Sequence, residues 1–101
     1  MWLLVDDTRD MPVDVIARTI EAAKKCLVAL TLDGVALDHD LGEKETGYDL
    51  IMWAIGCGVL PSKVQFITSN PVGRKRMEQA LSEAGYSQIQ GMGNLWVKRE
   101  I

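Results

Sequence analysis

Four aspartates stand just after two short apolar runs, and they are the residues of this chain best suited to chemistry. Trp2-Leu3-Leu4-Val5 leads into Asp6-Asp7, and Val35-Ala36-Leu37 leads into Asp38-His39-Asp40. A short apolar run bounded by polar residues reads as a buried parallel strand. Ligands of open α/β sheets sit outside the carboxyl ends of the strands. If the two runs are neighbours, Asp6, Asp7 and Asp38 converge, and converging carboxylates repel unless a cation lies among them. Mg²⁺ or Mn²⁺ suits such a set, because it takes carboxylate oxygens at about 2.1 Å and keeps several waters. A lone Asp-Asp pair would be no more than a turn former. Two clusters at matching positions favour a metal site.

Other residues gather around that expectation. His39 is the only histidine. Between two aspartates it is a general base, a general acid or a metal ligand, or else a side chain bonded to loop backbone. Ser69-Asn70-Pro71-Val72-Gly73-Arg74 opens a helix. A helix N-terminus offers free N–H groups to a phosphate, Ser69 and Asn70 add neutral donors, and Arg74 adds a charged fork. Ordinary capping explains the same residues and does not exclude anion binding. Arg9 either reaches over the site or pairs with Asp6 or Asp10.

The elements that must position these residues follow from periodicity. Met1 to Val5 is the first strand. Val13 to Ala17 reads as a short second strand, with Thr19 as the cap of a helix running to Leu30. Gly34 to Asp38 is the third strand. Leu41 to Gly47 is a polar loop, and the helix after it is apolar on two adjoining faces and is ended by Gly56 and Gly58. Lys63 to Thr68 is the fourth strand. Ser69 or Asn70 caps a helix with Met77, Ala80, Leu81 and Ala84 as its stripe and Gly85 just past its end. Ile89 and Leu95-Trp96-Val97 form a final strand, or two joined through residues 91–94. This alternation predicts an α/β fold: an open parallel sheet of flavodoxin-like order (2-1-3-4-5) with helices on both faces.

At 101 residues with 48% hydrophobic residues, the chain forms one domain, residues 1–101. A net charge of −3 gives no general attraction to DNA or to acidic membranes. No apolar run is long enough for a membrane span, and no signal peptide is evident. Cys26 and Cys57 read as reduced thiols of a cytoplasmic protein.

Leu4-Val5-Asp6-Asp7-Thr8-Arg9, Leu37-Asp38-His39-Asp40-Leu41-Gly42, Thr46-Gly47-Tyr48-Asp49 and the Ser69–Arg74 block together resemble the cyclic-phosphate-processing receiver-like domains. These are a divergent branch of the response-regulator receiver fold. The resemblance runs from about Leu3 to Met77. It implies a receiver-like sheet, a divalent metal and a role on cyclic phosphates often linked to RNA end repair. It matches Asp6 and Asp7 to the receiver acidic pair, Asp38 to the phospho-acceptor, and Thr68 or Ser69 to the hydroxyl after the fourth strand. Two departures stand out. Lys98 is the only stand-in for the receiver lysine, and the proline after that lysine is missing. The first receiver helix is lost. Phosphorelay signalling is therefore not expected.

The expected function is metal-dependent binding and hydrolysis of a cyclic phosphate or related phosphoester. Asp38, His39 and Asp7 would be catalytic. Arg9, Ser69, Asn70 and Arg74 would hold phosphate, and Asp6, Asp7 and Asp38 would hold Mg²⁺ or Mn²⁺. The ligand would be a phosphorylated small molecule, a nucleotide or an RNA end. The rival expectation is a non-catalytic, stand-alone receiver-like module that binds a partner protein or a phosphorylated ligand.

Overall fold

The structure, a computed structural model, describes residues 1–99. Glu100 and Ile101, part of the expected domain, lie outside the described residues. The elements run β1 (Trp2–Val5), β2 (Val15–Ala17), α1 (Ile20–Ala29), β3 (Gly34–Leu37), α2 (Gly47–Cys57), β4 (Lys63–Phe66), α3 (Pro71–Glu83), β5 (Tyr86–Ile89) and β6 (Met92–Lys98). The sheet order is β2-β1-β3-β4-β6-β5. Its first four strands are parallel and follow the expected order. In the fifth position stands β6, antiparallel to β4, with β5 hairpinned onto it at the edge. The sheet is therefore mixed. After α3 the chain turns tightly at Gly91 (φ 80°), leaving too short a connection for the crossover that a parallel strand needs.

Local signals set the helix limits. The Thr19 hydroxyl accepts from Ala22 N–H and starts α1. Thr46 and Asp49 form a reciprocal capping box at α2, which Gly58 ends in the left-handed region. The Asn70 side chain accepts from Gly73 N–H, so Asn70 rather than Ser69 caps α3.

α1 packs on α2 and α2 on α3. Their apolar stripes meet Leu3, Val5, Val35, Leu37, Val64 and Phe66 in one core. Among the described residues all three helices cover this one face, not both as expected. The physical reason is topological. Right-handed β2–α1–β3 and β3–α2–β4 crossovers travel in the same direction along the sheet and so fall on the same side. The β1-to-β2 connection, which would supply the other side, contains no helix. On that side Leu4 and Ala36 are nonetheless buried, and the Trp2 ring lies against Gly34, leaving no room for a Cβ there.

The parallel register aligns the ends of four strands. Ala17, Val5, Leu37 and Phe66 form one row across β2, β1, β3 and β4. The ladder extends one residue further, with Asp6 N–H bonded to Ala17 O, Asp38 N–H to Val5 O and Ile67 N–H to Leu37 O. Arg18, Asp6, Asp38 and Ile67 thus leave the sheet side by side.

Helix α2 tests how tightly this edge is built. A Cβ on Gly47 would lie 2.3 Å from the Asp38 carbonyl oxygen, whereas one on Gly56 in the same helix meets nothing within 4 Å. Gly47→Ala should cost about 1–3 kcal/mol, because backbone must move to admit the methyl. Gly56→Ala should stabilise by roughly 0.5–1 kcal/mol through helix propensity. Urea unfolding of the two variants checks the opposite signs.

Candidate functional site

Strand register brings Asp6, Asp7 and Asp38 together, with one carboxylate oxygen from each lying within 4.8 Å of the others. Asp6 is the innermost, with 1% of its surface exposed. Its Oδ1 accepts from the N–H groups of Thr8 (2.9 Å) and Arg9 (3.0 Å), so the loop after β1 wraps around it. Its Oδ2 is buried and has no hydrogen-bond partner. The nearest cationic group, Arg9 Nε, is 3.9 Å away. Burial pushes the Asp6 carboxyl up, but the Arg9 and Thr8 N–H groups and the Arg9 charge outweigh it and hold the group below its ordinary value of 3.8. Asp38 Oδ1 accepts from His39 N–H at 2.8 Å. Gly42, at φ 69°, packs against Asp7, where a Cβ would lie 3.2 Å from Oδ2. The left-handed backbone and the close approach both favour glycine there.

Arg9 extends from the β1 loop to the far side of this pocket, where its Nη1 donates to the Ile67 carbonyl at 2.7 Å. Arg18 belongs to no motif of the sequence. It bonds the carbonyls of Asp6 (3.3 Å) and Arg9 (2.6 Å) and pairs with the Asp10 carboxylate. The Asp10-to-Arg9 pairing expected as an alternative is thus replaced by Asp10 with Arg18. A lone arginine between a strand and a helix cap gives no pattern to find. Only the closure of the loop reveals it.

His39 is 8% exposed, with its ring against Gly73, where a Cβ would lie 2.5 Å from the ring. Its Nδ1 is 3.1 Å from Asp40 Oδ1, and its Nε2 is buried with no partner. Asn70 Nδ2 donates to Asp40 Oδ2 at 3.2 Å. The hydrogen bonds of His39 and Asn70 hold the Asp40 carboxyl below its ordinary range. His39, Asp40 and Asn70 therefore join the β3 loop to the start of α3. Thr68 Oγ1 accepts from Asn70 N–H, and Ser69 is exposed at the same edge. Arg74 lies in the first turns of α3, where its Nη2 donates to Gly93 O at 2.6 Å and its Nε is 3.6 Å from Glu78. Lys98 is at the other end of the sheet. Because β6 is antiparallel, Val97 pairs with Lys63 at the start of β4, so the chain carries Lys98 away from the aspartates.

The donor set fits a divalent cation. It offers oxygen only, and the buried Asp6 Oδ2, with Arg9 Nε no closer than 3.9 Å, has no hydrogen-bond donor, which is costly unless a cation completes it.

Residues 1–83 match the family described as the cyclic-phosphate processing receiver domain. No curated protein matches the chain. Among solved structures, a fusion chain carrying the yeast Spc42 trimeric coiled coil is similar at TM-score 0.63 and 23% identity, covering 78% of this chain and 62% of that one. The chain thus spans less than two thirds of that relative. The MaeR response regulator bound to beryllium trifluoride is similar at TM-score 0.57 and 24% identity, covering 79% and 76%. These likenesses show a receiver-like fold. No helix among the described residues is long and apolar enough to cross a membrane.

The depressed Asp6 carboxyl has a signed consequence. Its stabilising effect is full above the ordinary carboxylate value of 3.8 and is lost as pH falls through the lower folded value. Asp6→Asn keeps an acceptor for Thr8 and Arg9 but cannot titrate. Its unfolding free energy should therefore fall less steeply than that of the parent chain below about pH 4, as measured by urea unfolding at a series of pH values.

Proposed function

The chain belongs to the cyclic-phosphate processing receiver domain family, and from that premise we propose that it binds and hydrolyses a cyclic phosphate or related phosphoester with the help of Mg²⁺ or Mn²⁺. The observation that carries the reading is the unpartnered, buried Asp6 Oδ2 beside Asp7 and Asp38. Those three carboxylates would hold the cation. When bound, it supplies Lewis-acid polarisation of a phosphoryl oxygen.

The remaining roles fall to the chain's own groups. Arg9 spans the pocket and retains free N–H donors beyond the one given to Ile67, so it can hold a non-bridging phosphate oxygen. Ser69, Asn70 and the N-terminus of α3 add neutral donors and a positive dipole end. Arg74 contributes by exchanging its Gly93 contact for a phosphate. Asp38 and Asp7 orient the attacking water, and His39 Nε2, the ring nitrogen without a partner, takes the proton-transfer role. The ligand is a phosphorylated small molecule, a nucleotide or an RNA end bearing a cyclic phosphate.

One observation favours the second reading, a non-catalytic receiver-like module. Arg9 and Arg74 both donate to backbone carbonyls, and the lysine that would complete a receiver site is at the wrong end of the sheet.

Three measurements decide. A ligand that binds only the folded state stabilises it by about 2.7 kcal/mol at a hundred times its Kd, which for a domain of this size is of order ten degrees in Tm. Mn²⁺ at millimolar concentration should raise the Tm, and Asp38→Asn should abolish the rise while stabilising the metal-free protein by relieving repulsion. Identical melting with and without metal would remove the site. With Mn²⁺ present, opening of a 2′,3′-cyclic nucleotide supports hydrolysis, whereas binding without turnover supports the module. Arg74→Ala should weaken phosphate binding roughly ten-fold or more, and Lys75→Ala, at an exposed neighbour, should change it little.

A further inference from the structure

We propose that Arg18 is a positioning residue that sets the Arg9 guanidinium across the acidic pocket. This inference rests on the phosphate-binding reading of Arg9. The alignment of strand ends places Arg18, Asp6, Asp38 and Ile67 in that order along one edge. Arg9 starts beside Asp6 and ends on the Ile67 carbonyl. Since β3 lies between β1 and β4, that path crosses above the end of β3, where Asp38 emerges. The Arg9 side chain is half exposed, so apart from the Ile67 carbonyl and the Asp6 carboxylate little packing defines its path, and the placement of its backbone sets whether it reaches them.

Two groups hold that backbone. Asp6 Oδ1 accepts the Arg9 N–H from below, and Arg18 Nη1 donates to the Arg9 carbonyl from the β2 side. The same Arg18 guanidinium reaches Asp6 O and the Asp10 carboxylate, so one planar fork gathers three residues of a loop that has neither helix nor strand. A lysine ammonium has no such fork, so it cannot reproduce the arrangement. The aspartates themselves sit at strand ends and do not need Arg18. Loss of Arg18 should therefore spare the metal and impair the anion.

Calorimetry with Mn²⁺ alone, then with inorganic phosphate at saturating Mn²⁺, separates the two. Arg18→Ala should leave Mn²⁺ affinity within about three-fold and weaken phosphate roughly ten-fold, as Arg9→Ala does. The double variant should be no weaker than Arg9→Ala, because Arg18 acts only through Arg9. Arg18→Lys should not rescue. Asp10→Ala, at an exposed partner of Arg18, should weaken phosphate by about two- to three-fold, and only when Arg18 is present. An NMR arm needs no ligand. The Arg9 Nη–H signal, from the nitrogen bonded to the Ile67 carbonyl, should be distinct and slowed in exchange in the parent chain and average into the exposed arginine signals in Arg18→Ala. An unchanged Arg9 signal, or losses that multiply in the double variant, overturns the inference. Failure of the parent chain to bind Mn²⁺ or phosphate overturns the proposed function instead, and the Arg9 signal still decides what Arg18 does.

Discussion

Three carboxylates within 4.8 Å of one another are the constraint on which the rest of this edge depends. Two unit charges about 5 Å apart at an effective dielectric of about 20 repel by roughly 3 kcal/mol. A single hydrogen bond to a charged group returns about 1.5–3 kcal/mol, so one is not enough. The chain therefore surrounds Asp6 with two N–H donors and the Arg9 guanidinium, and gives Asp38 the N–H of His39. Parallel pairing of β1 with β3 imposes the crowding, since Val5 faces Leu37 and whatever follows them must be adjacent. The crowding has a cost: Asp6 Oδ2 stays buried with no hydrogen-bond donor, beside the carboxylates of Asp7 and Asp38.

Glycines let the surrounding elements come close enough to matter. Gly42 admits the loop to Asp7, Gly47 brings the start of α2 onto the Asp38 carbonyl, and Gly73 lets α3 lie on the His39 ring. Helix α3 and its Asn70 cap are thus seated on the loop after β3, which carries His39 and Asp40. His39, Asp40 and Asn70 lock that seating through side chains. The two nitrogens of the His39 ring are in different situations: Nδ1 faces Asp40, and Nε2 is buried without a hydrogen-bond partner.

The one-sided helical layer and the terminal hairpin separate this molecule from a fully wound α/β domain. Losing a helix between β1 and β2 leaves a loop there. That loop delivers Arg9 over the pocket and needs Arg18 to hold it. Reversing the last strand removes the lysine position from the site and brings Gly93 to Arg74 in its place. The first change puts Arg9 on a loop, a more mobile kind of segment than the elements it connects, whereas Arg74 and Gly93 stay on α3 and β6.

Much of this was legible in the chain because it depends on local physics. Thr19, Thr46 and Asn70 announce helix starts through their own hydrogen-bonding chemistry, and Gly58 and Gly85 announce helix ends through the left-handed backbone they permit. The apolar runs before Asp6-Asp7 and Asp38 implied buried parallel strands, and the parallel order then required the aspartates to meet. What the chain left open depends on contacts distant in sequence. Residues 86–98 suit one strand or a hairpin equally well by pattern, and only pairing with β4 decided the direction of β6 and the exile of Lys98. The side of the sheet that each helix covers follows from crossover handedness over the whole topology, not from any helix's own stripe. Arg9 and Arg74 stand within the motifs and Arg18 does not, but no motif says which carbonyl each guanidinium will meet. Their different roles arise because a guanidinium bonds whichever carbonyl the fold brings within reach, and that is settled only when the loops and the hairpin close.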